Sequence, residues 1–84
     1  MDITFHTNAF EDYVFFQQND KKLAKRINEL LKDITRNPFS GIGKPEALKH
    51  NLSGFWSRRI NNEHRIVYTI KDDTIYILQC RYHY

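Results

Sequence analysis

The sequence predicts a single α+β domain with the order β-α-α-β-β-β, in which two N-terminal helices cover one face of an antiparallel sheet. Three features favour this class: residues 2–6 alternate like a strand, residues 9–36 have helical periodicity, and three strand-like runs follow residue 54. The chain has 84 residues, and two domains would each approach the ~40 residues below which crosslinks or metal are usually needed. We therefore expect one domain over residues 1–84.

The first half of the chain predicts one short strand and two helices. Alternating apolar side chains favour a strand over residues 2–6. A helix is predicted over residues 9–18, with Asn8 as its N-cap and Glu11 as the capping-box partner. The polar run that follows ends this helix, and Asp20 is expected to cap the next one.

The second helix is the clearest element, because its apolar residues recur at helical spacing. This stripe consists of Leu23, Ile27, Leu30, Leu31 and Ile34. The charged residues of its other face are expected to be solvated. Asn37 ends the helix, because Pro38 disfavours the α conformation in the residue before it.

Residues 38–53 form the longest irregular stretch and contain both prolines and two of the three glycines. We expect a brief helical turn within residues 46–50. A loop of this length in so small a domain usually has a function or is disordered. The polar residues that favour a functional interpretation are Lys44, Glu46, Lys49 and His50.

Three strands are predicted in the second half, over residues 55–60, 64–70 and 74 to about 82. Asn61 and Asn62 mark the first hairpin turn, because Asn tolerates the positive φ that such turns require. The three strands complete the sheet on which the two helices pack.

The middle strand predicts which side chains face the helices. Ile66, Tyr68 and Ile70 alternate and share one face, whereas Arg65 lies on the other. His64 should point with the apolar residues toward the helix-covered side, which favours a structural role. The opposite face is expected to be concave and basic.

The charge of the chain is concentrated in its second half. Lys and Arg outnumber Asp and Glu by 13 to 10, and the whole net charge of +3 lies in residues 44–84. Basic side chains attract phosphates and aromatic faces stack on bases, and this half carries both. The pattern favours nucleic-acid binding, with an ordinary sheet and solvated cations as the alternative.

Composition and local pattern exclude several other classes of protein. A single cysteine, Cys80, leaves neither a disulfide framework nor a zinc-ribbon pattern. The N-terminus does not have the pattern of a signal peptide, and no apolar run is long enough to cross a membrane. We expect a cytoplasmic protein with no membrane partner, in which Cys80 is a small buried hydrophobic residue.

One combination of side chains could perform chemistry. Glu46, Arg65 and His83 are the residue types that metal-free RNA cleavage needs. A carboxylate can take the proton of the ribose 2′-OH, an imidazolium can protonate the leaving 5′-oxygen, and a guanidinium can neutralise the phosphorane. No cofactor or metal is expected, because Cys80 and His83 would point to opposite faces of a strand. Spacing alone leaves open that the three are ordinary surface residues.

Two longer stretches resemble the YoeB toxins, a branch of the RelE-like superfamily of ribosome-dependent mRNA endonucleases. They are GKPEALKHNLSGFWSRRINNEHRIVY at residues 43–68 and CRYHY at residues 80–84. The segment INELLKDITRNPFSGIGKPE in the first half is also similar to this family. The resemblance implies a RelE/YoeB-like fold and a bacterial type II toxin that enters the A site of the 70S ribosome and cuts mRNA there.

The resemblance also implies roles for individual residues. Glu46 in KPE matches the general base, Arg65 in EHR matches the residue that stabilises the transition state, and His83 in YHY matches the general acid. The residues implied to contact the RNA are Lys49, His50, Arg59 and Tyr84.

Membership of this family would imply a cognate YefM-like antitoxin and a homodimer. The antitoxin's C-terminal segment is expected to fold on binding and to cover the active residues. Two other function classes stay open. A non-catalytic ribosome- or RNA-binding translation blocker needs the basic surface but not Glu46 and His83, and a plain protein-interaction module needs neither.

Overall fold

The structure, a computed structural model, describes residues 1–82 and confirms the α+β class with two helices on one face of a sheet. Its elements are β1 (Asp2–Phe5), α1 (Thr7–Asn19), α2 (Lys21–Arg36), β2 (Glu46–Ala47), a 3₁₀ turn (His50–Leu52), β3 (Trp56–Arg59), β4 (Arg65–Lys71) and β5 (Thr74–Gln79). Neither helix is long and apolar enough to cross a membrane.

The five strands lie in the order β1-β5-β4-β3-β2, and the sheet is mixed. The pairs joined by short turns are antiparallel, as predicted for the second half of the chain. The first strand instead runs parallel to the last, with Asp2 opposite Thr74 and Phe5 opposite Ile77. These two strands are far apart in sequence, so no hairpin turn constrains their relative direction.

The first helix begins earlier than predicted, at Thr7 instead of residue 9. Its N-cap is His6, whose Nδ1 accepts a hydrogen bond of 3.3 Å from the Asn8 amide. The prediction that Asn8 caps the helix is therefore wrong, since the backbone N–H of Asn8 is itself capped. A histidine nitrogen can replace the usual oxygen acceptor at this position.

The second helix has the predicted ends and the predicted buried face. Asp20 caps it by accepting a hydrogen bond of 3.1 Å from the Leu23 amide, and Asn37 terminates it before Pro38. Its apolar stripe is buried together with one face of the sheet. The core residues Ile66 and Tyr68 of β4 are completely buried against it, as the alternation predicted.

Cys80 is buried just after the last strand and confirms the prediction of a small core residue. Its Sγ lies 3.2 Å from the carbonyl oxygen of Ala9 in α1. Burial raises the pKa of this thiol to about 12, so the reactive thiolate is a minor species at neutral pH.

Two segments differ from the prediction. The helical turn expected within residues 46–50 is instead the edge strand β2, and a 3₁₀ turn follows only at His50–Leu52. The last strand ends at Gln79 rather than near residue 82, after a register irregularity opposite Val67 and Tyr68. Both differences arise from pairing with distant strands, which a local pattern does not contain.

Candidate functional site

The sheet has an open face, defined here as the face opposite the helices, which carries Glu46, Arg59 and Arg65. Residues directly opposite each other on paired strands share a face. Glu46 lies opposite Ser57, and Arg59 lies opposite Arg65. Since Tyr68 packs in the core, the alternate residues of β3 and β4 must face away from the helices. The prediction that Arg65 lies on the open face is confirmed.

Glu46 and Arg65 lie on β2 and β4, with β3 between them. Their Cα atoms are two strands apart and offset by two residues, a separation of roughly 12 Å by ordinary strand geometry. Ser57 and Val67 lie between them on the same face and are only 3% and 0% exposed. Glu46 and Arg65 thus lie on the same face of the sheet, separated by the strand that carries Ser57.

The Arg59–Arg65 pair is the strongest electrostatic feature of the open face. Directly opposite side chains on antiparallel strands have Cβ atoms about 5 Å apart, where like charges destabilise the pairing. Within residues 1–82, neither arginine forms an ion pair with a carboxylate. Two adjacent cations attract an anion, and guanidinium groups bind phosphate especially well.

The orientation of Arg65 is set by the turn that precedes β4. Its Nη1 donates hydrogen bonds to the carbonyl oxygens of Asn61 at 2.8 Å and of His64 at 3.1 Å. The Asn61 side chain in turn accepts hydrogen bonds from the amides of Glu63 and His64. The turn lies where it was predicted, although it extends to residue 64 and delays the start of β4 to Arg65. Neither Asn61 nor Asn62 has a positive φ, so the expected reason for asparagine here is wrong, and Asn61 stabilises the turn through its side chain instead.

Residues 46–52 line a shallow groove of about 430 Å³ beside the edge strand β2. The groove brings together three of the predicted site residues, the exposed Glu46, Lys49 and His50. Lys44 before this segment and His50 within it have positive φ values of 52° and 59°. Such backbone conformations are uncommon for residues other than glycine.

A buried arginine that sequence reasoning missed holds the preceding loop in place. Arg58 is 0% exposed and points to the helix side, and its five N–H groups donate five hydrogen bonds. The acceptors are the Tyr68 hydroxyl, the Asp33 carboxylate and the backbone carbonyls of Asn37, Ser40 and Ile42. The sequence did contain a sign of this residue. Arg58 and Arg59 are adjacent on a strand, and adjacent strand residues face opposite sides of the sheet, so one of the two had to point to the helix side.

The Arg58 network has an electrostatic consequence for the acid that it contacts. The hydrogen bond from Arg58 and a second from the Ile42 amide hold the pKa of Asp33 below its ordinary value of 3.8. Burial acts in the opposite direction on the Tyr68 hydroxyl and raises its pKa. Arg58, whose N–H groups are all hydrogen-bonded, thus connects the loop before β2 to α2 and to the sheet.

Two of the predicted site residues, His83 and Tyr84, lie outside the described residues. The chain that leads to them passes beside Arg65, because the Arg65 amide donates a hydrogen bond of 3.0 Å to the Tyr82 carbonyl oxygen. Within residues 1–82, no three His, Cys, Asp or Glu side chains form a group that could hold a metal ion.

Comparisons with known proteins agree with this fold. The family described as YoeB-like toxin of bacterial type II toxin-antitoxin system matches residues 5–84. A "Toxin YoeB" from Synechocystis sp. (strain ATCC 27184 / PCC 6803 / Kazusa) is 64% identical over 84 residues, which covers 100% of this chain and 98% of that protein.

Solved structures are similar over the same extent. The crystal structure of a heterotetrameric YoeB-YefM complex from Staphylococcus aureus contains a chain with a TM-score of 0.93 and 64% identity, covering 100% of this chain and 98% of that one. The structure of a YoeB dimer from the same organism has the same TM-score, identity and coverage. The chain therefore belongs to the YoeB-like toxins of bacterial type II toxin-antitoxin systems.

Proposed function

We propose that this toxin is an endoribonuclease that cleaves mRNA in the A site of the 70S ribosome and thereby inhibits translation. The observation that carries the proposal is the open face, where Glu46 stands across a buried floor from the paired cations Arg59 and Arg65. An acceptor for a proton and a fixed positive charge at this separation suit a phosphodiester that undergoes internal attack.

The proposed reaction needs no metal ion. Glu46 takes the proton of the ribose 2′-OH, and the 2′-oxygen forms a bond to the adjacent phosphorus. Arg65 stabilises the extra negative charge of the phosphorane. The bond from phosphorus to the 5′-oxygen then breaks as His83 protonates that oxygen, which leaves a 2′,3′-cyclic phosphate and a 5′-hydroxyl.

The remaining site residues bind and position the RNA in this proposal. Lys49 and His50 lie in the groove beside Glu46, where they are exposed to an incoming strand. Arg59 contributes a second cation next to Arg65. Tyr84, which matches a terminal tyrosine of the family, helps to hold the mRNA. The substrate in this proposal is mRNA bound to a ribosome. We therefore propose that the protein acts in the cytoplasm.

The partners follow from relatives at high identity. The S. aureus protein that is 64% identical forms a complex with YefM and also a dimer. We therefore propose a cognate YefM-like antitoxin and a homodimer for this chain. An acidic antitoxin segment would complement the cations of the open face and prevent the approach of RNA.

The alternative is a translation blocker that occupies the ribosome without cutting, since the two arginines would support binding alone. The variant Glu46→Gln separates the two, because it keeps the side-chain shape and removes the base. The test measures translation arrest and maps new mRNA 3′ ends by primer extension on ribosome-bound mRNA. Glu11→Gln, the same change at an exposed position of α1, is the matched control.

Cleavage by the wild type and by Glu11→Gln, with little cleavage by Glu46→Gln, is the expected result. Ends that carry a 2′,3′-cyclic phosphate, and resistance of a message with a 2′-deoxy nucleotide at the cut site, would support the proposed chemistry. Equal arrest by all three proteins with intact mRNA throughout would overturn the nuclease proposal in favour of the blocker.

A further inference from the structure

His64 is a buried polar residue that the proposed reaction does not use. Its side chain points away from Arg65 toward α1, where its ring lies 5.3 Å from the ring of Phe16, and the residue is only 7% exposed. The prediction that it faces the helix-covered side is confirmed. Its Nδ1 accepts a hydrogen bond of 2.8 Å from the backbone amide of Tyr82.

The backbone of Tyr82 is held from both sides by consecutive residues. The His64 imidazole accepts from its N–H, and the Arg65 amide donates to its carbonyl oxygen. Tyr82 has a positive φ of 65°, which is unfavourable for a bulky side chain. Such a conformation persists only where surrounding contacts enforce it, and these two hydrogen bonds do so here.

The residue before Tyr82 is anchored to a different element. The Arg81 guanidinium lies 3.6 Å from the Asp12 carboxylate and 4.6 Å from the centre of the Phe15 ring in α1. The Gln79 side chain also donates to the carbonyl oxygens of Arg81 and Tyr82. The chain therefore leaves the sheet along a path that α1, β4 and β5 determine together.

We propose that His64 is a positioning residue for the proposed general acid, His83. It acts through the Tyr82 amide, and it sets the direction in which the chain continues toward position 83. The side chains of His64 and Arg65 point to opposite sides of the same turn, so this turn orients the cation and holds the backbone of Tyr82 at once. The inference rests on the proposed function and deepens it.

The test compares three variants in single-turnover cleavage of ribosome-bound mRNA. His64→Leu fills the space without a hydrogen-bond acceptor, whereas the Oδ1 of His64→Asn lies near the former Nδ1 position. Tyr13→Phe is the matched control, because it removes one half-buried hydrogen bond of 2.7 Å to Asn28 elsewhere on the helices. All variants are first checked for folding by circular dichroism.

We expect His64→Leu to lower the single-turnover rate constant at saturating protein by about 10²-fold, with little change in the protein concentration that gives half of that rate, as for a misplaced catalytic group. His64→Asn should recover most of that loss, and Tyr13→Phe should cleave like the wild type. A second message carries sulfur in place of the 5′-bridging oxygen at the cut site. A thiolate leaving group needs no proton, so His64→Leu should cleave this second mRNA almost as fast as the wild type does.

Each other outcome has a distinct meaning. A wild type that does not cut either message contradicts the proposed function itself. A wild type that cuts, with His64→Leu equally fast, overturns the positioning role. Equal loss on both messages overturns it as well, because it shows a general defect. If His64→Leu does not fold, His64→Gln replaces it with the same expectations, since its amide extends beyond the Nδ1 position.

Discussion

Arg59 and Arg65 show how single residues concentrate charge on an otherwise ordinary sheet. They face each other across β3 and β4, and no carboxylate among residues 1–82 pairs with either one. Arg65 is oriented by two backbone carbonyls, so part of its hydrogen-bonding capacity is already directed by the fold. Two facing cations destabilise the pairing of the strands and leave positive charge that no carboxylate of residues 1–82 neutralises. Functional sites often contain unfavourable arrangements of this kind.

His83→Gln should reduce cleavage without unfolding the protein. A positioned general acid contributes about 10²–10⁴-fold to the rate, whereas Gln keeps a polar side chain at this position. Single-turnover cleavage of ribosome-bound mRNA and thermal unfolding would check both parts. A variant that cleaves as fast as the wild type would show that His83 is not the acid.

At the level of elements, the loop between α2 and β2 is organised by one buried cation. Arg58 joins the loop carbonyls to the Asp33 carboxylate at the end of α2, with an Nη1–Oδ2 distance of 2.5 Å. Gly41 makes this possible, because a Cβ at its position would lie 2.1 Å from the Asp33 Oδ2. Through this loop the network determines where β2 begins, and therefore where Glu46 lies.

Arg58→Met should be strongly destabilising. The change leaves the partly exposed Asp33 carboxylate without its cation and several loop carbonyls without a donor, and each buried polar group left unpaired costs about 1–3 kcal/mol. Arg59→Met, the same change at the exposed neighbouring position, should alter the free energy of unfolding by less than ~0.5 kcal/mol. Urea denaturation of both variants provides the comparison, and similar losses would contradict the proposed role of Arg58.

The same ion pair predicts how stability depends on acid. The pKa of Asp33 is lowered in the folded protein, so its contribution is fully present above about pH 4, the pKa of an unfolded aspartate. As the pH falls below that value and through the folded pKa, the carboxylate becomes protonated and the contribution is lost.

Asp33→Asn should therefore be less stable than the wild type at neutral pH and should lose less stability on acidification. Urea denaturation of both proteins at neutral pH and at about pH 4 and pH 3 would measure how steeply the free energy of unfolding falls with pH in each. Asp72→Asn, a change at an exposed turn, is the control. If the free energy of unfolding of Asp33→Asn fell below pH 4 as steeply as that of the wild type, another acid would control the acidic transition.

At the scale of the whole molecule, the fold separates two uses of the same sheet. One face is buried under α1 and α2 and supplies the core, while the open face carries the cations and Glu46. Arg59 and Arg65 thus give the open face a local positive charge, where RNA is proposed to bind. A charged surface of this kind affects affinity and association rate more than it affects the fold.

Replacing Lys49 and Arg59 together by Ala should weaken binding to ribosomes and flatten its salt dependence. Each lost phosphate contact reduces the slope of log affinity against log salt by about one unit. Lys22→Ala combined with Lys25→Ala, on the exposed side of α2, keeps the number of lost charges equal. Binding at several salt concentrations tests this, and equal slopes for both double variants would show that the open face has no special role.

The helices, their apolar faces and the orientation of the middle strand could be predicted because burial leaves a local period in the sequence. The stripe of α2, its Asp20 cap and the alternation through Ile66 and Tyr68 are examples. The roles of Glu46, Arg65 and His83 came from motifs, and they stay predictions, although the structure does place Glu46 and Arg65 on one face.

The tertiary structure alone decided the features that join residues distant in sequence. The parallel pairing of β1 with β5, the strand at Glu46, the saturation of Arg58 and the hydrogen bond from Tyr82 to His64 all belong to this group. Periodicity records only whether a side chain is buried, and not which distant group it meets. The sequence by itself therefore determined the elements and their faces, whereas their mutual placement followed from which long-range contacts could be satisfied together.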